Sequence, residues 1–207
     1  MLLDMDGTLI DLHFDSVLWN EALPQAYADL HNIDRKDAER RLFDHMQTHE
    51  GSITYYCIDR WAEFTGLDIM ALHQSGVDRI AYREGSREFL TWLQAEPKRV
   101  ILTTNAHRKS LLFKDTQLKL LAYFDDVVSS HDYQLVKENP EFWRAMQTAI
   151  DFDPSRTLFI DDHEGVLAAA QQHGIAHLYC VSHPNSKATP RSNSAFPLIR
   201  NLNALVG

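Results

Sequence analysis

Short apolar segments alternate with helical patterns through the second half of the chain. Helical patterns cover 107–121, 140–150 and 164–173, and a further helix is predicted from its cap Ser86 to about 95. Residues 183–196 form a polar loop. The apolar segments are 100–104, 126–128, 157–160 and 175–181. Strands that alternate with helices build right-handed βαβ units, whose parallel sheet is covered on both faces. The predicted fold class is therefore α/β, with a Rossmann-like parallel sheet as its core.

A helical block interrupts this pattern between the first strand and the rest. Residues 14–80 show no convincing strand and predict four helices, of which the second is N-capped by Asp34 and the third covers 55–64. The predicted core domain comprises 1–10 and 80–207, and the predicted all-helical cap comprises 11–79. An insertion directly after the first strand lies over the carboxyl edge of the sheet, where open α/β folds bind ligands. That position is typical of a lid.

The bulk properties narrow the classes of protein that this chain can belong to. Its 207 residues carry a formal net charge of −9, which disfavours nucleic-acid binding. No apolar run approaches the roughly 18 residues that span a bilayer, so no membrane partner is expected. Cys57 and Cys180 have no paired spacing, which favours a reducing, cytoplasmic location. The first strand is short enough that we expect the natural chain to begin earlier.

Carboxylates follow two of the predicted strands. The segment Asp4-Met5-Asp6-Gly7-Thr8 ends the first strand, and Asp161-Asp162 ends the strand at 157–160. Gly7 permits a turn at low steric cost, so that both Asp4 and Asp6 can approach one metal ion. Carboxylates, carbonyls and water are the ligands that Mg²⁺ prefers. A solvated turn, or an N-cap pair in the case of Asp161-Asp162, is the alternative for each segment taken alone.

Three further residues complete a chemically coherent set. Thr104-Asn105 ends the strand at 100–104 and offers a hydroxyl and backbone N–H groups to a phosphoryl oxygen. Lys137 lies between the third strand and the next helix, with Lys109 and Lys114 as rivals for the same role. Phosphoryl transfer needs a nucleophile, a divalent cation and donors around the transferred group. The residues of this chain supply all of these.

The ordered set of motifs resembles the haloacid dehalogenase (HAD) superfamily, whose members open with D-x-D-G-T. The resemblance implies that Asp4 is the nucleophile and that Asp6 is the general acid and base. It implies that Thr104 binds the phosphoryl group and that Lys137 steadies the nucleophile and the transferred charge. It also implies Mg²⁺ held by Asp4, the Asp6 carbonyl and Asp162, with Asp161 nearby or as an alternate ligand.

A narrower resemblance links the chain to the bacterial GMP/IMP 5′-nucleotidases of this superfamily. It is carried by segments 2–12, 55–59, 66–69, 104–107 and 158–162. The resemblance implies a small phosphorylated substrate, a purine nucleoside 5′-monophosphate, for a monomer or homodimer. Lys137 is followed by Glu138-Asn139-Pro140, whereas Lys-Pro is commoner across the superfamily, so a different local loop shape is expected.

Other functions of the same fold stay open at this point. The substrate could be a sugar phosphate or phosphoglycolate, the reaction could be that of a phosphomutase, or the chain could bind without turnover. Dehalogenation is disfavoured because those relatives lack an acid at the position of Asp6.

Several residues outside the motifs are weaker candidates for contact with ligands. His45 and His49 are spaced for a metal but lack a third ligand, and His107 follows the Thr104 loop. Arg83 is a further candidate for contact with substrate. Aromatic residues in the cap could stack on a purine, although most are expected to pack its own core: Trp19, Tyr27, Tyr55, Tyr56 and Trp61.

Overall fold

A six-stranded parallel sheet forms the centre of the molecule, which is known from a computed structural model describing residues 1–206. Gly207, with which the predicted core domain ends, lies outside the described residues. The strand order is β3-β2-β1-β4-β5-β6, and every pair is parallel. The strands are β1 Leu2–Leu3, β2 Ile101–Thr104, β3 Asp126–Ser129, β4 Leu158–Asp161, β5 His177–Val181 and β6 Leu198–Ile199.

Helices precede or follow the strands along the chain. In the cap segment they are α1 His13–Val17, a π-helical turn Leu18–Ala22, α2 Leu23–His31, α3 Arg35–His49, α4 Ile53–Tyr56, α5 Ile58–Thr65 and α6 Ile69–Ser75. In the sheet domain they are α7 Ser86–Leu93, α8 Arg108–Leu118, α9 Pro140–Ile150 and α10 Glu164–Gln172. The α/β fold class with a parallel sheet is confirmed. No helix within residues 1–206 is long and apolar enough to cross a bilayer.

Alternate residues of each strand face opposite sides of the sheet, and each side has its own apolar core. Leu3 and Leu102 pack with α7 and α8, whereas Leu2 and Ile101 pack with α9 and α10. Successive side chains of a strand point to opposite faces, which produces this division. Because both faces are buried, the strands carry near-continuous apolar residues.

The helical segment between β1 and β2 builds a third apolar cluster of its own. Tyr27, Leu42 and Trp61 are buried within it. Asp34 caps α3 by accepting a hydrogen bond from Asp37 N at 2.9 Å, as predicted. Whether 11–79 is a separate domain with those boundaries stays a prediction.

Four local expectations are corrected by the structure. The helix expected across 55–64 divides at Cys57, which adopts an extended conformation between α4 and α5. Ser86 is the first residue of α7 rather than its cap, since Gly85 precedes it with a φ of +79°. The helix expected across 107–121 ends at Leu118. A sixth strand, β6, follows the polar loop and pairs with β5.

Candidate active site

The polar residues predicted to converge lie at the carboxyl ends of three neighbouring strands. Asp4 directly follows β1, and its backbone N donates to Ile160 O at 3.0 Å. Thr104 ends β2 and Asp161 ends β4. Because β1 lies between β2 and β4, these side chains meet at one edge of the sheet.

Asp4, Asp161 and Asp162 form a carboxylate cluster, in which one oxygen from each residue lies within 4.8 Å of the others. Burial raises the pKa of Asp4, and Asp161 and Asp162 raise it further against the opposing effect of Lys137. Burial and the neighbouring Asp161 likewise raise the pKa of Asp162 to about 7. Like charges gathered in a buried site need positive charge close by.

Lys137 supplies part of that charge from within the cluster. Its Nζ donates to Asp4 Oδ1 at 2.6 Å, to Asp161 Oδ2 at 2.7 Å and to the carbonyl of Thr103 at 3.0 Å. Burial alone would lower the pKa of this amine, but Asp161 and Asp4 together raise it well above its usual value. Of the three candidate lysines, Lys137 is therefore the one in contact with Asp4.

Asp6 belongs to a second buried ionic group beside the cluster. The Nζ of Lys114 lies 2.7 Å from Asp6 Oδ1 and 2.8 Å from both oxygens of Asp15. Burial raises the pKa of Asp6 to about 6, with Lys114 opposing this change and Asp15 adding to it. Lys114 was expected only as a rival to Lys137, and Asp15 was not expected at all. Neither residue belongs to a motif that would have pointed to this contact.

Thr104 and Asn105 line the same edge. Thr104 Oγ1 accepts a hydrogen bond from Ala106 N at 3.0 Å, which leaves the hydroxyl proton to donate elsewhere. Asn105 Oδ1 accepts from Lys137 N at 2.9 Å, so this loop is tied to the backbone that carries the buried amine. Both residues are buried.

The carboxylate cluster has the donor set that a divalent cation requires. Asp4 Oδ2 is buried and has no hydrogen-bond partner anywhere in 1–206. Asp162 lies directly over Gly7, where a Cβ atom would come within 2.7 Å of Asp162 Cγ. An unpartnered buried oxygen among clustered carboxylates fits Mg²⁺, which takes a few protein oxygens together with water and substrate.

Alanine at Gly7 is expected to weaken magnesium binding by at least about tenfold, as changes around metal ligands do. The new Cβ would displace Asp162, and the φ of +88° would add backbone strain. Isothermal titration with Mg²⁺ measures the affinity.

Gly174→Ala is the matched control for that substitution. Gly174 has a φ of +96°, but apart from its immediate chain neighbours no atom of the described structure lies within 4 Å of the place that an alanine Cβ would occupy. It should therefore lose stability through the same strain and keep magnesium affinity. Equal affinities in the two variants would show that Asp162 does not hold the ion.

A cavity of about 600 Å³ opens above the carboxylate cluster. Its floor contains Asp4, Asp6, Thr104 and Lys137, and its cap side carries aromatic residues: Trp19, Tyr55, Tyr56 and Trp61. Ligand cavities of roughly 300–1,000 Å³ hold ligands of drug or cofactor size. Residues of the cap therefore face the same space as the carboxylates.

Two of the weaker sequence candidates lie away from this cavity. Tyr27 is buried in the apolar cluster of the cap. Arg83 is buried too, and its guanidinium donates to the backbone carbonyls of Thr8, His183 and Arg200. A side chain with this many internal partners fixes loops together, and contact of Arg83 with substrate stays a prediction.

A hydrogen-bonded bridge joins the cap to the sheet domain beside the cavity. Tyr56 Oη donates to Glu138 Oε1 at 2.7 Å, and Asn105 Nδ2 donates to Glu138 Oε2 at 2.9 Å. We call these three residues the Glu138 bridge. Sequence reasoning noted Glu138 only as a departure from Lys-Pro and did not predict its contact with the cap.

The comparisons with known proteins agree with this geometry. Residues 1–174 match the family model of haloacid dehalogenase-like hydrolases. The GMP/IMP nucleotidase YrfG of Escherichia coli K12 is 34% identical over 206 residues, which cover 100% of this chain and 93% of that protein. The protein of the same name from Shigella flexneri gives the same values.

Solved structures share the fold. A HAD phosphatase from Thermococcus onnurineus superposes with a TM-score of 0.80 at 18% identity, covering 100% of this chain and 96% of that one. An L-2-haloacid dehalogenase from Xanthobacter autotrophicus gives a TM-score of 0.65 at 16% identity, covering 99% and 95%. Together with the family match over most of the sequence, these findings show that the chain is an enzyme of the haloacid dehalogenase-like hydrolase family.

Proposed function

We propose that the protein is a Mg²⁺-dependent phosphomonoesterase that acts through a phosphorylated Asp4 on purine nucleoside 5′-monophosphates. The observation that carries the proposal is the carboxylate cluster of Asp4, Asp161 and Asp162 at the strand ends, with Lys137 bonded to Asp4. A nucleophilic carboxylate held by a buried amine, next to donors for a phosphoryl group, is the equipment that phosphoryl transfer requires.

In the first step, a carboxylate oxygen of Asp4 forms a bond to phosphorus while the bond from phosphorus to the leaving oxygen breaks. Asp6 gives its proton to that oxygen, so the nucleoside departs as a neutral alcohol. Lys137 and the Thr104 hydroxyl donate hydrogen bonds to the charged oxygens of the group in transfer. Lys137 also fixes the orientation of Asp4.

In the second step, water attacks phosphorus and Asp6, now a carboxylate, accepts its proton. The bond between phosphorus and Asp4 breaks, which regenerates the free carboxylate and releases inorganic phosphate. Asp4, Asp162 and the Asp6 carbonyl would hold Mg²⁺, with Asp161 nearby as an alternate ligand. The ion supplies neutralising charge for the phosphate when it is bound.

Two observations support a purine nucleotide over other phosphate esters. The cap side of the cavity offers aromatic faces, including Trp19 and Tyr55, on which a base can stack. The relative that is 34% identical is named for GMP and IMP. A sugar phosphate has no aromatic base to stack on them.

A substrate panel tests this assignment. Phosphate release is measured with GMP, IMP, AMP, a hexose phosphate and phosphoglycolate, each with Mg²⁺ and with a chelator. We expect the highest kcat/KM for GMP or IMP and no turnover in chelator. A higher value for a sugar phosphate would reject the nucleotide, product isomerisation without free phosphate would indicate a mutase, and absence of turnover would indicate a binding protein.

The pair Lys114→Met and Asp15→Asn tests the role of Asp6 as acid. Lys114 lowers the pKa of Asp6 and Asp15 raises it, so the first variant should raise this pKa and the second should lower it. A general acid must be protonated, so the rate of the first step falls as the pH rises through its pKa. We expect the pH at which this rate falls to rise by about one unit in Lys114→Met and to drop by about one unit in Asp15→Asn.

Single-turnover release of nucleoside, measured against pH, follows the first step alone. Circular dichroism at the assay temperature checks that both variants are folded. Shifts in the same direction, or none in either variant, would mean that another group protonates the leaving oxygen.

We also propose that the protein is a cytoplasmic monomer or homodimer. A monomer or homodimer in the cytoplasm is consistent with a nucleotide substrate and with the free thiols of Cys57 and Cys180. Size-exclusion chromatography with light scattering would measure the oligomeric state.

A further inference from the structure

A second group of metal-ligating side chains lies where the cap meets the sheet domain. Cys57 is the extended residue between α4 and α5 of the cap. His107 directly precedes α8, and His131 lies in the turn after β3. One ligand atom from each residue lies within 4.8 Å of the others. We call these three residues the Cys57 cluster.

We propose that the Cys57 cluster binds a transition-metal ion of the Zn²⁺ class. A thiolate and two imidazoles are ligands that Zn²⁺ favours over the harder Mg²⁺. In a tetrahedron with bonds of about 2.0–2.3 Å, such atoms lie about 3.3–3.6 Å apart. Because the observed spacing is at most 4.8 Å, binding needs a contraction of up to about 1.5 Å, which rotation of the side chains would supply.

The local hydrogen bonding leaves room for the ion. His131 Nε2 is buried and has no hydrogen-bond partner in the described part of the chain. The rings of His107 and His131 have centroids 4.7 Å apart and are nearly perpendicular, at 79°. His107 Nδ1 accepts a long 3.2 Å hydrogen bond from Lys109 N. Coordination through Nε2 would move the ring proton to Nδ1 at the expense of that weak bond.

A carboxylate lies next to one of these ligands. Asp59 Oδ2 lies 3.7 Å from His107 Nε2, while its other oxygen accepts from Lys109 Nζ at 2.7 Å. Asp59 belongs to α5 of the cap, two residues after Cys57. The three residues of the Cys57 cluster supply three ligands, and the fourth position of a zinc site would take water, or Asp59 after a side-chain rotation.

The Cys57 cluster differs from the two other candidate metal sites. The carboxylate cluster offers oxygen alone and suits Mg²⁺. His45 and His49 have ring centroids 4.5 Å apart, but residues 1–206 provide no third ligand near them. Neither of these two sites contains sulfur, so a thiolate-to-metal absorption band would be specific to the Cys57 cluster.

An ion bound here would tie the cap to the sheet domain. Cys57 and Asp59 belong to the cap, whereas His107 and His131 belong to loops at the carboxyl edge of the sheet. His107 also lines the substrate cavity. Opening the cap would then require at least one metal–ligand bond to break, so the bound ion would disfavour opening.

Cobalt spectroscopy tests for this site in the full-length protein without substrate. Co²⁺ is added in the presence of excess Mg²⁺, and the thiolate-to-cobalt charge-transfer absorption is recorded. We expect one equivalent of Co²⁺ to give the band and one equivalent of Zn²⁺ to abolish it. Cys57→Ser should lose the band, and His131→Gln should weaken Co²⁺ binding by at least about tenfold.

Two control variants separate this site from its rivals. Cys180→Ala removes the other thiol and should keep the band, and His49→Gln removes the helical histidine pair and should keep it as well. No band in the wild type, or a band that Cys180→Ala abolishes, would overturn the proposal. The proposal would also be overturned if His131→Gln left the affinity for Co²⁺ unchanged, because that result would indicate an adventitious ion only.

A measurement on the wild-type chain covers the case in which Cys57→Ser does not fold. Cys57 is half-buried and reacts as the thiolate, which is also the form that binds metal. Zn²⁺ should slow the alkylation of Cys57 by iodoacetamide by at least about tenfold. Peptide mass spectrometry measures the rate of this alkylation. Equal alkylation rates with and without Zn²⁺ would overturn the proposal. Neither experiment involves turnover, so the proposed phosphatase function stands or fails separately.

Discussion

Replacing Asp4 by asparagine is expected to reduce phosphate release to less than about a hundredth of the wild-type rate, because the amide cannot form the acyl phosphate that the Asp4 carboxylate forms. The fold should survive the change. Burial already raises the pKa of Asp4, so a neutral side chain removes a charge that the folded state holds at a cost. Initial rates at saturating Mg²⁺ and GMP measure the loss, and thermal unfolding checks the fold.

Residual activity well above that level would mean that Asp4 is not the nucleophile. A mass increase corresponding to one phosphoryl group, trapped by rapid acid quench of the wild type, provides the positive result. The same quench of Asp4→Asn should show none. Phosphorylation of the variant at another residue would also contradict the proposed mechanism.

Replacing Lys137 by methionine is expected to lower the free energy of unfolding by about 3–5 kcal/mol, the usual cost of breaking a buried ion pair. Methionine keeps the unbranched shape but leaves Asp4 and Asp161 without the ammonium that both contact. Urea unfolding in chelator measures this loss. The variant should also lose at least about a hundredfold in kcat, since the group in transfer loses a charged donor.

Lys109→Met is the control for that change. Lys109 Nζ lies 2.7 Å from Asp59 Oδ1, as Lys137 Nζ does from Asp161 Oδ2, but the side chains of Lys109 and Asp59 are 57% and 55% exposed. Exposed pairs contribute at most about 1 kcal/mol. If both variants lost the same free energy of unfolding, burial would not explain the stability that the Lys137 ion pairs provide.

The parts of the fold that the sequence predicted are those with a strong local pattern. Helix α9 runs over Pro140–Ile150 as expected, because Asn139 caps it by accepting from Glu141 N and proline suits its first turn. The buried strands were found from apolar runs, and the carboxylates from their place at the strand ends. These signals lie within a few residues of each other along the chain.

The features that were missed depend on residues that are distant in sequence. Lys114 on α8 meets Asp15 on α1 across 99 positions, and no local pattern indicates that contact. Strand β6 has only two residues, too few for an alternation to show. The division at Cys57 interrupts a pattern that fits a continuous helix. In each case, tertiary contacts rather than local preference decide the outcome.

The Glu138 bridge has a consequence for how substrate enters. The hydrogen bond from Tyr56 to Glu138 joins the helical segment to the loop before α9 through groups of the protein alone. If the cap moves outward to admit substrate, the movement must break the hydrogen bonds of the Glu138 bridge, and closure after binding must form them again. Because Asn105 links the same carboxylate to the backbone of Lys137, the resting position of the cap and the placement of the buried amine depend on one shared side chain.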